Sequence, residues 1–258
     1  MTPRINLIQQ IRANLREGSV SIGGWMQIPH GAIAEIMGQS GFDWVAIDME
    51  HGSISHHQLP DLFRAIQLGD TLPLARLPEG TAKECKLALD AGAGGVIVPM
   101  VESREQLIDV RNAICWPPNG NRGVGYSRAN LFGKYFESYS LEAQAPMLIA
   151  MIESVQGLDN LDSILDVEGL DAILVGPYDL SASMQLTGQF NHPLFINKMT
   201  TILAKTSTAS VAAGVHVISP SEQELANRIR DGFRFVAYSI DAVMLMSACH
   251  RPSVPFLD

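Results

Sequence analysis

Three ionisable residues follow one apolar run: Trp44-Val45-Ala46-Ile47 leads into Asp48, Glu50 and His51. A short run with β-branched residues reads as a buried strand. Charges at its end cost free energy unless they are paired, hydrated or bound to a ligand. His51 is a candidate proton carrier because an imidazole titrates near neutrality; the alternative is a histidine satisfied by backbone groups. Other apolar runs end the same way, in Arg76, Glu153, Asp179 and His216. Glu153 and Asp179 offer hard oxygen ligands with no cysteine beside them, a set suited to Mg²⁺ or Mn²⁺. Each could instead cap the helix that follows it. Arg76 can grip a substrate carboxylate or carbonyl oxygen, or pair with Asp48 or Glu50. His216 reads as structural, and His56 and His57 as solvated.

The elements that must position these groups alternate. Strands are expected at 19–26, 43–48, 72–76, 95–99, 147–152, 171–175, 211–217 and 233–238. Helices are expected at 4–17, 31–40, 58–69 after a polar start at Ser53–His57, 79–91, 102–115, 155–166, 192–206, 219–231 and 240–249, with Gly92 ending the fourth of these and a Ser/Pro cap opening the one at 219. Gly176–Leu180 reads as a loop, and Gly23-Gly24 as a place of close approach. Residues 116–146 interrupt the alternation with a long insertion whose second half, 134–144, is helical; an insertion of this length is usually functional or an interface. Eight strands alternating with helices predict a (β/α)8 TIM barrel over 1–258, with an N-terminal helix and a long insertion after the fourth barrel helix; a doubly wound open sheet is the alternative. In a barrel, residues after the strands gather at one face, which is where Asp48, Glu50, His51, Arg76, Glu153 and Asp179 fall.

Composition narrows the function. The chain has 258 residues, 47% hydrophobic and 17% charged, which describes a soluble globular protein with a substantial core. Its net charge of −9 and lack of basic clusters argue against nucleic acid. Cys85, Cys115 and Cys249 are scattered, without metal-knuckle or disulfide spacing. No apolar run is long enough for a membrane span, and the N-terminal stretch lacks a signal-peptide core, so a cytoplasmic location is expected. Lys83, Lys86, Lys134, Lys198 and Lys205 all fall on expected helices or in the insertion. A Schiff-base mechanism needs a lysine facing the substrate, so carbonyl chemistry here would use a metal. The loops after the seventh and eighth strands lack a glycine cradle, which disfavours a phosphorylated substrate.

The strings GFDWVAIDMEHG, LARLPEG, LDAGAGGVIVPMV, WPPNGNRGVG, IES and VGPYDLSA occur in this order. Together they resemble the HpcH/HpaI aldolase family of metal-dependent class II pyruvate aldolases, from about Gly23 to Ala242. The resemblance implies a TIM barrel with Glu153 and Asp179 as ligands of a divalent cation (Mg²⁺ or Mn²⁺, or another such as Co²⁺). It also implies Arg76 gripping pyruvate, His51 as base, and backbone N–H groups around Gly176, Pro177, Tyr178 and Asp179 holding the carboxylate. A homohexamer is implied, with the last helix packed on a neighbour. The resemblance pairs Asp90 with the catalytic histidine. Asp90 ends a helix on the far side of its own barrel, so it either reaches a neighbouring active site or is structural. Two positions depart from the family: Met151 stands where a glutamine is usual, and Tyr178 where a small residue is common.

The reaction expected is reversible cleavage of a 2-oxo-4-hydroxy acid to pyruvate and an aldehyde through a stabilised enolate. Asp48 and Glu50 would support the site. The alternatives are a related metal-dependent CoA-thioester lyase, with Arg122 and Arg128 facing the nucleotide, and a non-catalytic barrel that binds small acids.

Overall fold

The computed structural model describes residues 3–253. The chain opens with α1 (Arg4–Arg16), β1 (Ser21–Met26), α2 (Gly31–Gly38), β2 (Trp44–Asp48), α3 (Leu59–Gln67), β3 (Leu72–Arg76), α4 (Ala82–Ala91), β4 (Gly95–Val98) and α5 (Arg104–Ile114). It continues through α6 (Phe136–Ala143), β5 (Met147–Ile152), α7 (Val155–Asp159), α8 (Leu161–Leu165), β6 (Ala172–Val175) and α9 (Pro177–Ser183). It closes with α10 (Pro193–Thr208), β7 (Ala212–Val217), α11 (Glu222–Asp231), β8 (Phe235–Tyr238) and α12 (Asp241–Ala248). The strands form a closed parallel barrel in chain order, with β8 pairing back onto β1. This closure excludes the open-sheet alternative. Of the domain expected over 1–258, residues 1–2 and 254–258 lie outside the described residues.

Strand periodicity divides the side chains between two cores. Alternate residues point inward, so Trp44, Ala46, Leu72, Leu74, Met147, Ile149, Leu174 and Phe235 fill the barrel interior. The intervening Val45, Ile47, Leu148, Ile173 and Val215 face the helices. Trp44 stacks on Phe235 with ring centroids 4.4 Å apart. The close approach at Gly23 is to Trp44: a Cβ there would lie 2.0 Å from the indole. Ile8 and Ile11 of α1 join the interior cluster, so α1 plugs the end where the strands begin. Continuing the same alternation past the strand ends brings Asp48, Arg76, Glu153 and His216 inward at the opposite end.

Side-chain caps fix the helices that leave that end. Thr81, Ser103, Ser154 and Ser221 each accept an N–H from the first turn of α4, α5, α7 and α11. The helix expected from 219 therefore starts at Glu222, with Ser221 rather than a Ser/Pro pair as its cap. The helix expected over 155–166 breaks at Asn160 into α7 and α8; the Asn160 amide donates to Glu102 O at 2.7 Å. Gly176–Leu180 is not a loop but the start of α9, with Pro177 at its first position, where its fixed φ suits the helix. Gly92 ends α4 at φ 110°, as expected.

The insertion folds against the plugged end and flank of the barrel. Arg4 of α1 donates to Glu142 Oε1 and Ala129 O, both at 2.7 Å. Arg128 donates to Ala91 O and to Gln67 Oε1. Trp116, Ala129, Tyr139 and Ala143 form a small core of their own. Among the described residues no helix is long and apolar enough to cross a membrane.

Candidate active site

Asp48 is the hub of the site. Its carboxylate accepts from Arg76 Nε at 2.9 Å and Nη2 at 3.0 Å, Gln27 Nε2 at 2.8 Å and Trp25 Nε1 at 3.1 Å. The backbone N–H groups of Glu50 and His51 donate to its other face at 3.1 Å. Burial alone would raise the pKa of this fully enclosed carboxyl. The Arg76, Gln27 and His51 hydrogen bonds outweigh burial and hold it at about 2. Asp48 is therefore a fixed anion at neutral pH and supports the site rather than carrying protons. The structure supports the salt-bridge reading of Arg76, since the same guanidinium also pairs with Glu50. Three of its five N–H donors are used in these pairs, and the side chain lines the cavity at the barrel mouth.

Glu153 stands across the mouth from this cluster. Its Oε2 accepts from the Met100 N–H at 2.8 Å, and Met100 holds a left-handed φ of 49° to present that group. Ser154, not Glu153, caps α7, so the capping alternative fails for Glu153. A Cβ on Gly176 would lie 2.7 Å from Glu153 Oε1, and the missing side chain makes room for the carboxylate. Asp179 sits in the first turn of α9 beside the same cavity. Burial, then the charges of Asp179 and Glu50, push Glu153 up to about 7 against the pull of Met100 and Arg76. Burial also raises Glu50, opposed first by Arg76.

Excess negative charge on hard oxygens fits a divalent cation. Among the described residues no three His, Cys, Asp or Glu side chains form a metal cluster. Glu153 and Asp179 are two carboxylates placed beside the cavity where such a cation could be held.

His51 is exposed and lines the cavity through the loop after β2. His216 is buried, packs at a tilt against Trp25 with ring centroids 4.8 Å apart and contacts Ser239 O at 3.1 Å. Burial depresses it to about 4, so it is neutral at physiological pH, and it forms part of the cavity wall. His56 is not simply solvated: Nε2 lies 2.7 Å from Glu84 Oε2 of α4, tying down the loop that carries His51. Asp90 lies in the last turn of α4, which leads into the start of β4, so it stands at the barrel end opposite His51. Burial raises its pKa above the ordinary carboxylate value, against the nearby charges of Arg122 and Lys86.

The cavity has a volume of about 110 Å³ and includes residues that inspection of single strand ends misses. Trp25 lies within β1 and Gln27 follows it, and Asp241 holds the segment after the strand by accepting from the Gln27 and Ile28 N–H groups, each at 2.9 Å. The signal available for the first two was their place at the end of an apolar strand; Asp241 offered none, since its partners lie more than 200 positions away. Met151 is buried in the cavity wall and Tyr178 is 52% exposed at its rim. Pro177 has no N–H, so it contributes no donor to the carboxylate cradle expected around Gly176–Asp179, whereas Gly176, Tyr178 and Asp179 keep backbone donors. Arg122 is buried between Trp116 and Tyr139, and Arg128 is tied to Ala91 and Gln67. Neither builds the nucleotide groove a CoA-thioester lyase would need beside this cavity.

The family model for HpcH/HpaI aldolase/citrate lyase matches residues 21–248. The chain is 37% identical over 243 residues to a hydroxypyruvate/pyruvate aldolase of Roseobacter denitrificans, covering 93% of this chain and 94% of the relative. It is 35% identical over 245 residues to the 2-keto-3-deoxy-L-rhamnonate aldolase of Escherichia coli K12, covering 94% and 91%. The crystal structure of an HpcH/HpaI aldolase/citrate lyase family protein from Burkholderia cenocepacia superposes with a TM-score of 0.86 at 30% identity, covering 93% of this chain and 95% of that one. The chain belongs to the HpcH/HpaI aldolase/citrate lyase family and is a carbon–carbon lyase.

Proposed function

We propose that the protein is a divalent-metal-dependent pyruvate aldolase, cleaving a 2-oxo-4-hydroxy acid reversibly to pyruvate and an aldehyde. One observation carries the reading: a surplus of carboxylate charge at Glu153 and Asp179 faces, across a cavity of small-acid size, an arginine with donors to spare. The relatives named for pyruvate and for a 2-keto-3-deoxy acid support the substrate class. Glu153 and Asp179 would hold Mg²⁺, Mn²⁺ or another divalent ion such as Co²⁺, which when bound supplies positive charge for the enolate oxygen.

The chain's own residues do the rest. The N–H groups of Tyr178 and Asp179 bind the substrate carboxylate, using donors that the first turn of α9 leaves unpaired. Arg76, oriented by Asp48 and Glu50, directs its remaining N–H groups to the 2-oxo oxygen. His51 takes the proton from the 4-hydroxyl as the C3–C4 bond breaks. Asp90 serves the active site of a neighbouring subunit. Exposed apolar groups on α12 (Leu245, Met246) and on the insertion (Tyr126, Phe132, Leu141) favour a homo-oligomer, a hexamer on the family pattern.

The test is exchange of pyruvate methyl protons in deuterated buffer with Mn²⁺ added, followed by addition of pyruvate to aldehydes. Wild type should exchange, and a chelator or Glu153→Ala should stop it. Exchange that persists after either change would overturn the metal assignment, and a chain that binds pyruvate without exchange would be a binding protein.

A further inference from the structure

The catalytic cavity has a neighbour. A second cavity, of about 150 Å³, shares with it the wall formed by Pro177, Tyr178, His216 and Ile218. Its other walls are mainly apolar: Phe190 in the loop after α9, Phe195 and Met199 of α10, and Val215 of β7. Phe195, Met199 and Val215 are buried, and Phe190 packs on Phe195 with centroids 5.5 Å apart. Tyr178 stands between the two spaces, its ring edge-on to Phe190 at 4.9 Å and 86°. Polar groups of the annex are Ser219 and the Glu224–Arg228 pair, both partly or fully exposed.

This arrangement bears on the acceptor aldehyde, and the inference rests on the aldolase reading. The donor half of the substrate is a three-carbon acid matched to the first cavity. The only part free to vary is the substituent on the aldehyde carbon, which must leave the reacting centre towards an adjoining space. An apolar cavity of roughly 150 Å³ takes a group about the size of benzene. A hydroxylated tail held among the buried Phe195, Met199 and Val215 would lose its hydrogen bonds to water, because the annex's charged pair and Ser219 stand at its more exposed edge.

We infer that the annex beyond Tyr178 receives the apolar tail of the acceptor, so that the enzyme prefers aldehydes with branched aliphatic or aromatic substituents over short hydroxylated ones. Each buried methylene contributes roughly 4-fold in kcat/KM where the tail is held in the transition state. Wild type should therefore favour isovaleraldehyde over glycolaldehyde by about 10-fold or more. Met199→Phe, which fills the annex, should lower that ratio by about 10-fold.

Binding can be read without turnover. The methyl resonance of ¹³C-labelled Met199 should shift on addition of 3-methylbutan-1-ol to wild type, and Phe190→Ala should weaken that response. Equal rates with both aldehydes, a ratio unmoved by Met199→Phe, or an unshifted Met199 methyl would overturn the inference. Loss of pyruvate proton exchange in wild type together with an intact Met199 shift would instead overturn the aldolase reading and leave an apolar site in place.

Discussion

Asp48 and Arg76 are direct register partners at the ends of β2 and β3, and their side chains join in a two-pronged ion pair at 2.9 and 3.0 Å. Both are nearly or fully enclosed. Removing one member of such a pair strands the other as an uncompensated buried charge. Asp48→Asn should therefore lower unfolding stability by about 3–5 kcal/mol, read as a reduced urea midpoint. Because the folded carboxyl sits at about 2, below its ordinary 3.8, the stabilisation is complete above pH 4 and is lost as pH falls towards 2. A wild-type acid transition unaltered by the substitution would contradict this assignment.

Glu153 carries the opposite sign. Its folded carboxyl lies near 7, above the ordinary 4.5, so its ionisation costs stability as pH rises from 4.5 to 7, on the order of 3 kcal/mol by the upper end. A bound divalent cation removes that cost and competes with the proton. The thermal shift produced by Mn²⁺ should thus be larger at pH 8 than at pH 5.5. Glu153→Gln should raise the melting temperature of metal-free protein at pH 8 and abolish the Mn²⁺ shift. A shift that is independent of pH, or that survives in Glu153→Gln, places the cation elsewhere.

Gly176 tests the fit of that carboxylate. The added methyl of Gly176→Ala would lie 2.7 Å from Glu153 Oε1 and 3.0 Å from Cγ, displacing the carboxylate. A displacement near 1 Å at a reacting centre costs about 100-fold in rate. Steady-state kinetics should show a loss of kcat of that order with the far-ultraviolet circular dichroism of wild type, and a fully active variant would show that Glu153 does not hold the reacting assembly.

Asp90 and His51 lie at opposite ends of one barrel and cannot meet within one chain, so the proposed pairing requires a second subunit. His51→Ala and Asp90→Ala should each be nearly inactive alone. Unfolding the two together and refolding them as mixed oligomers should restore part of the activity, because some sites then combine an intact His51 with an intact Asp90. Mixed oligomers no more active than either parent would make Asp90 structural.

The His56–Glu84 contact at 2.7 Å ties the loop bearing His51 to α4. Loosening it should cost catalysis more than stability. His56→Ala and Glu84→Gln are each expected to lower kcat by about 10-fold, the low end of the range for supporting contacts of a site. Pyruvate KM should stay near wild type. A double variant no worse than either single one would confirm that the two act as a pair, and unchanged kcat in both would dismiss the tie.

Much of this was legible locally. The two-residue period of strands decides which side chains face inward, so the runs ending in Asp48, Arg76 and Glu153 announced both the barrel and its chemical end. The motif strings named the family from the same residues. The closed barrel decided the rest by joining distant segments. Arg76 is bound to Asp48 and Glu50 only because β2 and β3 are in register. Glu153 depends on a Met100 N–H 53 positions away, and Gln27 on an Asp241 carboxylate 214 positions away. Hydrogen-bond partners at such separations leave no trace in local pattern. The short helix at Pro177, the break at Asn160 and the docking of the insertion against α1 likewise follow from packing and partner geometry that a linear reading does not contain.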